Sequence, residues 1–137
     1  MNPDLTDISN KILALLDPLK TDYQVQPWPD NADNYELTHP KGAILVIFKD
    51  WQFQAPEDTV GGDQPTNLDF QISILNRSLL PGKTNPGAYD MIGQVYDALH
   101  GQKIETNYLQ CRRITLVSQK NALFHYAEMW RLPNYQL

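Results

Sequence analysis

A chain of 137 residues is the size of one domain and can bury a core without disulfide or metal staples. Its 42% hydrophobic and 20% charged residues are ordinary for a globular protein, and a net charge of −5 argues against gripping the outside of a nucleic acid, which needs a basic face. The single cysteine, Cys111, excludes an intrachain disulfide and points to cytosolic assembly, the acidic first residues lead us to expect no signal peptide, and no apolar run is long enough to cross a membrane.

In chain order, the first expected element is a helix over about residues 4–17. Leu5, Ile8, Ile12, Leu15, Leu16 and Leu19 recur at steps of three and four, Asp4 or Thr6 can cap the start, and Pro18 disfavours helical geometry at Asp17. Tyr23 to Gln26 alternates as a short strand ended by Pro27, and the polar stretch from Trp28 to Asn34 reads as a loop. Gly42-Ala-Ile-Leu-Val-Ile-Phe48 is an unbroken apolar run rich in β-branched side chains. It predicts a central strand buried on both faces, so the sheet must be covered on each side.

Residues 49–66 form an irregular, polar segment, longer than a compact domain usually leaves unstructured, and are expected to be an arm or loop. Trp51 and Phe53 alternate with polar residues at its start, so this first part can instead continue the strand, and both are candidate interface anchors. Leu68, Phe70, Ile72 and Ile74 alternate with polar residues and predict a half-buried strand. A connection containing Leu79 and Leu80 leads to a second helix over about 86–100. Ala88, Met91, Ile92, Val95, Ala98 and Leu99 form its inner face and Gly101 its left-handed end. Strands over Arg113–Ser118 and Leu123–Leu132, turning near Lys120-Asn121, complete the order α-β-β-β-α-β-β. The fold class is α+β: one domain, 1–137, with a small, mainly antiparallel sheet flanked by two helices.

No motif points to catalysis. His39, His100 and His125 lack zinc-site spacing, and the surroundings of Cys111 match no thiol-enzyme signature. Pro81-Gly-Lys-Thr84 lacks the earlier glycine of a phosphate loop, with Asn76 in its place. Glu57, Asp58 and Asp63 cluster without calcium-loop spacing and read as a solvated acidic loop. Arg112-Arg113 is too short for a nucleic-acid patch. Simple alternation sends one of the pair to each side of its strand, in position for a salt bridge at a contact. The sequence therefore leads us to expect no catalytic, cofactor-binding or metal-binding residues.

In the order of its elements the chain resembles the tail-terminator, or tail-completion, proteins of long-tailed bacteriophages, of the type found in Mu-like contractile phages. The resemblance rests on the N-terminal helix, His39-Pro-Lys-Gly42-Ala-Ile-Leu-Val46, Phe70-Gln-Ile-Ser-Ile-Leu-Asn-Arg77-Ser-Leu79, the helix ending Ala98-Leu-His-Gly101, and Phe124-His-Tyr-Ala-Glu-Met-Trp130. It implies a non-enzymatic protein of the virion tail, assembled in the host cytoplasm. Such proteins form a ring, usually a hexamer, that caps the tail tube, stops its polymerisation and offers a surface to the head connector and the sheath. DNA passes through the lumen without specific binding. Interface candidates are Trp51, Phe53, Arg77, Leu79, Leu80, Arg112 and Arg113. The rival readings are another tail or head-tail connector subunit, and a small ligand-binding or enzymatic domain.

Overall fold

The computed structural model describes residues 3–30, 35–53, 65–83 and 85–135. Helix α1 spans Leu5–Leu16, and Asp4 Oδ1 caps it by accepting the Asp7 N–H at 3.0 Å. The chain does not leave the helical path at Pro18: it tightens into a 3-10 turn, Asp17–Thr21, with the proline at its start, where a missing N–H costs nothing. The strands that follow are β1 (Gln24–Pro27), β2 (Ala43–Phe53) and β3 (Thr66–Asn76), then helix α2 (Ala88–Leu99). A small hairpin, β4 (Lys103–Ile104) and β5 (Asn107–Tyr108), precedes the long strands β6 (Gln110–Lys120) and β7 (Leu123–Tyr135).

Five strands make one sheet in the order β1-β2-β3-β7-β6; β1 runs parallel to β2, and the other neighbours are antiparallel. The fold is α+β, and apart from the extra β4–β5 hairpin the elements follow the expected order. Two-residue strands are too short to leave a periodic signal, which is why sequence pattern missed that hairpin.

Both helices lie on one face of the sheet. Ile8, Ile12 and Leu16 of α1 and Met91, Val95 and Leu99 of α2 share a core with Ile44, Val46, Phe70, Ile72, Ile74 and Trp130. The expected double burial of β2 holds for Ala43 to Val46, while Ile47 is partly exposed. The cover on the opposite face is not a helix. Trp28, Tyr35 and Leu37, from the connection between β1 and β2, pack there on Ala43, Leu45 and Leu75. Parallel strands need a crossover, and part of this one is laid back across the sheet.

Local devices set the register. A bulge between Phe48 and Asp50 puts Trp51 opposite Leu68, on the helix face; without the extra residue, Trp51 would point away from the core. Gly42 has φ +137°, and a Cβ there would lie 2.8 Å from the Leu75 carbonyl oxygen and 2.9 Å from the Met91 sulfur. Buried Asn76 ties three segments together. Its amide donates to the Lys41 and Pro86 carbonyls at 2.9 and 3.1 Å, and its oxygen accepts the Ser78 N–H at 2.9 Å. The β6–β7 turn falls at Asn121 and Ala122 (φ 53° and 59°), one residue later than expected.

The alternation of Trp51 and Phe53 does continue the strand: residues 49–53 belong to β2, and Thr66 belongs to β3 rather than to the arm. Residues 54–64, with Glu57, Asp58 and Asp63, lie outside the described residues. Strand β3 is buried nearly throughout rather than half-buried, because Asp69 and Ser73 on its second face are covered too.

Candidate interaction surface

Two helices, each about 10 Å across, can cover about four strands spaced about 4.8 Å apart. Helix α1 packs on β1 and β2, and α2 on β3 and β7. Strand β6 is left at the edge of the sheet without a helix above it. Cys111, Ile114 and Leu116 lie on its helix-facing side, opposite Trp130, Glu128 and Tyr126. Ile114, Leu116 and Val117 are 40, 46 and 52% exposed, and exposed Tyr89 of α2 meets Tyr126 edge-on at 6.3 Å. Arg112, Arg113 and Lys120 project from the same strand and form no ion pair among the described residues. A bulge between Cys111 and Arg113 breaks the alternation expected to divide the two arginines, and both are exposed. The result is a long open edge carrying apolar and cationic side chains.

The other sequence candidates are dispersed. Trp51 packs half-buried against the main core and meets exposed Phe53 at a tilt, their ring centroids 4.7 Å apart. Arg77 donates to the carbonyls of Leu37 and His39, holding the crossover on the sheet. Leu79 is half-buried, and Leu80, at 65% exposure, is the most open large apolar side chain among the described residues.

Two polar clusters escaped the sequence reading. On the face covered by the crossover, Ser73 Oγ accepts from Trp28 Nε1 at 3.1 Å and Gln71 Nε2 at 2.8 Å, and lies 2.9 Å from His125 Nε2. With both lone pairs occupied, the hydroxyl proton goes to His125, whose ring is therefore neutral at Nε2. Burial lowers the His125 pKa below its ordinary value. The distance is that of a nucleophile and its base, but Ser73 is fully buried and its oxygen saturated, so the cluster pins Trp28 to the sheet and offers nothing to a substrate. Nearby, Arg131 grips Asp69 with two bonds, 2.8 and 3.2 Å, and reaches Gln52 at 3.1 Å. The pair is largely shielded from water, and Asp69 raises the Arg131 pKa.

The second cluster is Glu128, fully buried on the helix side of β7. One carboxylate oxygen accepts Trp130 Nε1 at 2.9 Å and the other has no partner among the described residues. Desolvation pushes its pKa up to about 7, against a smaller opposing effect of the Trp130 bond. Glu128 alternates in phase with Tyr126, Trp130 and Leu132, so an acid on an apolar face was legible in the sequence, although its burial was not. Burial first, and Glu128 second, raise the Cys111 pKa, the opposite of what a thiolate nucleophile needs.

Among the described residues, no three His, Cys, Asp or Glu side chains gather to hold a metal, and no helix is long and apolar enough to cross a membrane. A cleft of about 590 Å³ lies between Tyr35, Glu36, Leu37 and the β6–β7 turn, but its Arg77 is engaged with the backbone and no histidine or cysteine lines it.

The fold and its surface define a small α+β domain with a long open sheet edge and no assembled catalytic cluster among the described residues. The chain belongs to the Gp37 protein family, whose model matches residues 12–133. Its fold is shared with a chain from the virion of a native gene transfer agent, 16% identical, with a TM-score of 0.55 over 94% of this chain and 92% of that one. A second solved structure, the sheath/tube terminator of an extracellular contractile injection system in its extended state, aligns at 14% identity and a TM-score of 0.41, over 99% of this chain and 59% of that one. No curated protein matches the chain.

Proposed function

We propose that the chain is a structural tail terminator: a subunit of a ring, six copies around, that caps a tail tube, stops its growth and offers its outer face to the head connector and the sheath. The open β6 edge carries this reading, because a subunit that contacts its neighbours head to tail needs an unpaired surface on one side. The sequence resemblance to tail terminators and the virion fold support it. A terminator must match the tube on one face and refuse another tube subunit on the other. The ring assembles in the host cytoplasm and stays in the virion tail, and DNA crosses its lumen without specific contacts. No catalytic step is assigned to it.

Electron microscopy of particles made without the chain tests the reading. Loss of a terminator gives tubes of uncontrolled length. Tubes of normal length that fail to join heads would make the chain a connector instead, and normal particles would remove it from the tail altogether.

A further inference from the structure

Strand β6 contains Arg112, Arg113 and Lys120 and no acid, in a chain whose net charge is −5. These cations have no ion-pair partner among the described residues, and they flank the exposed Ile114, Leu116 and Val117 on the open edge. One stretch of the same chain has the opposite character. Residues 54–64, between β2 and β3, carry Glu57, Asp58 and Asp63 and no lysine or arginine, and their eleven positions equal the eleven of β6.

We propose that segment 54–64 of one copy docks along the β6 edge of the next. The cations would meet the three carboxylates, with Val60 and Ala55 available to the apolar side chains between them. Other occupants fit less well. Two β6 edges paired about a two-fold axis would bring six cations together. The opposite edge of the sheet, β1, is short, and Pro27 removes an N–H from its outer side. The segment is rooted at Phe53 and Thr66 in interior strands, while its target lies at the sheet edge. Donor and acceptor surfaces therefore differ, and such a contact closes as a ring when the rotation permits. The inference rests on the ring reading and names the contact within it.

A charge swap tests it. One variant, Arg112→Glu/Arg113→Glu/Lys120→Glu, reverses the edge; a second, Glu57→Lys/Asp58→Lys/Asp63→Lys, reverses the segment. Each is supplied to producing cells that lack the wild-type chain, alone and then together, and tube length is read by electron microscopy. The wild-type chain must restore a defined length in the same cells, and its failure to do so overturns the terminator reading itself. If it succeeds, either variant alone is expected to lose length control. The two together are expected to recover it, because each reversed edge then meets an opposite segment on its neighbour. Length control by either variant alone overturns the docking contact and leaves the terminator reading standing. So does failure of the mixture, the outcome expected if the segment folds back onto its own copy. Arg112→Glu/Arg113→Glu, with Lys120 kept, is the milder edge variant should the triple change unfold on heating, and it is judged by the same rescue.

Discussion

Glu128 occupies a position where strand alternation calls for an apolar side chain, and its burial ties stability to pH. Its pKa is raised from 4.5 to about 7, so the folded state holds a proton that the unfolded chain releases in between. The stabilisation is fully present below pH 4.5 and is lost as pH rises through 7, a loss of about 3 kcal/mol for a shift of this size. Glu128→Gln, which keeps an acceptor for Trp130, is expected to flatten that decline and to be more stable than the wild type at pH 8, as measured by urea unfolding across pH. His125 acts in the opposite sense. Its folded pKa lies below the ordinary 6.5, so its contribution is present above that value and is lost as pH falls. Replacing Ser73 by alanine leaves Trp28 Nε1, Gln71 and His125 without their shared partner and is expected to loosen the crossover, read as increased Trp28 fluorescence quenching. Phe70 is fully buried between the sheet and the helices, and Phe70→Ala is expected to cost roughly 3–5 kcal/mol. A small loss would place the strand out of register.

Among the elements, the pair β2 and β3 is expected to separate structural from assembly roles. Its paired part reaches Phe53 and Thr66, so removing residues 57–64 spares every described strand and core contact. The shortened chain is expected to keep its unfolding midpoint and to fail in tail assembly. Equal stability with normal tails would count against a role for the segment. Helix α2 is fixed at its start by close packing rather than by propensity. A Cβ on Gly87 would lie 2.4 Å from the Leu79 carbonyl oxygen, and Asp90 accepts the Gly87 N–H at 3.0 Å. Gly87→Ala must displace the 79–80 backbone and is expected to destabilise the domain by about 1–3 kcal/mol, seen as a lower melting temperature.

For the whole molecule, the expected assembly is a closed head-to-tail hexamer on the tube, with the isolated chain free to remain monomeric until the tube templates it. A tail-end reconstruction showing a two-fold dimer, or no density for the chain, would remove this reading. Cys111→Ser is expected to leave assembly within a few-fold of normal, since its thiol is half-buried and held in the neutral form. Loss of function in a stably folded Cys111→Ser protein would revive a thiol chemistry.

How much was legible depended on the range of the interaction. Periodicity over a few residues located α1, α2 and the strands, because burying one face imposes a spacing of 3.6 or 2 on any chain that folds this way. The apolar run from Ala43 to Val46 announced a strand covered on both sides, and the alternation from Leu68 to Ile74 announced its partner. The absence of catalytic spacing was likewise a property of the sequence. What covers each face was not. That both helices share one side depends on long-range packing that local pattern does not encode, and that Trp28, Tyr35 and Leu37 close the other follows from the crossover between parallel β1 and β2. The same limit hid the pairing of Ser73 with His125 and of Asp69 with Arg131, each residue lying far from its partner along the chain. It also hid the exposure of β6. The sequence alone determined that Ile114 and Leu116 belong to a strand; only the tertiary structure, by running out of helix above the fifth strand, decided that they face solvent.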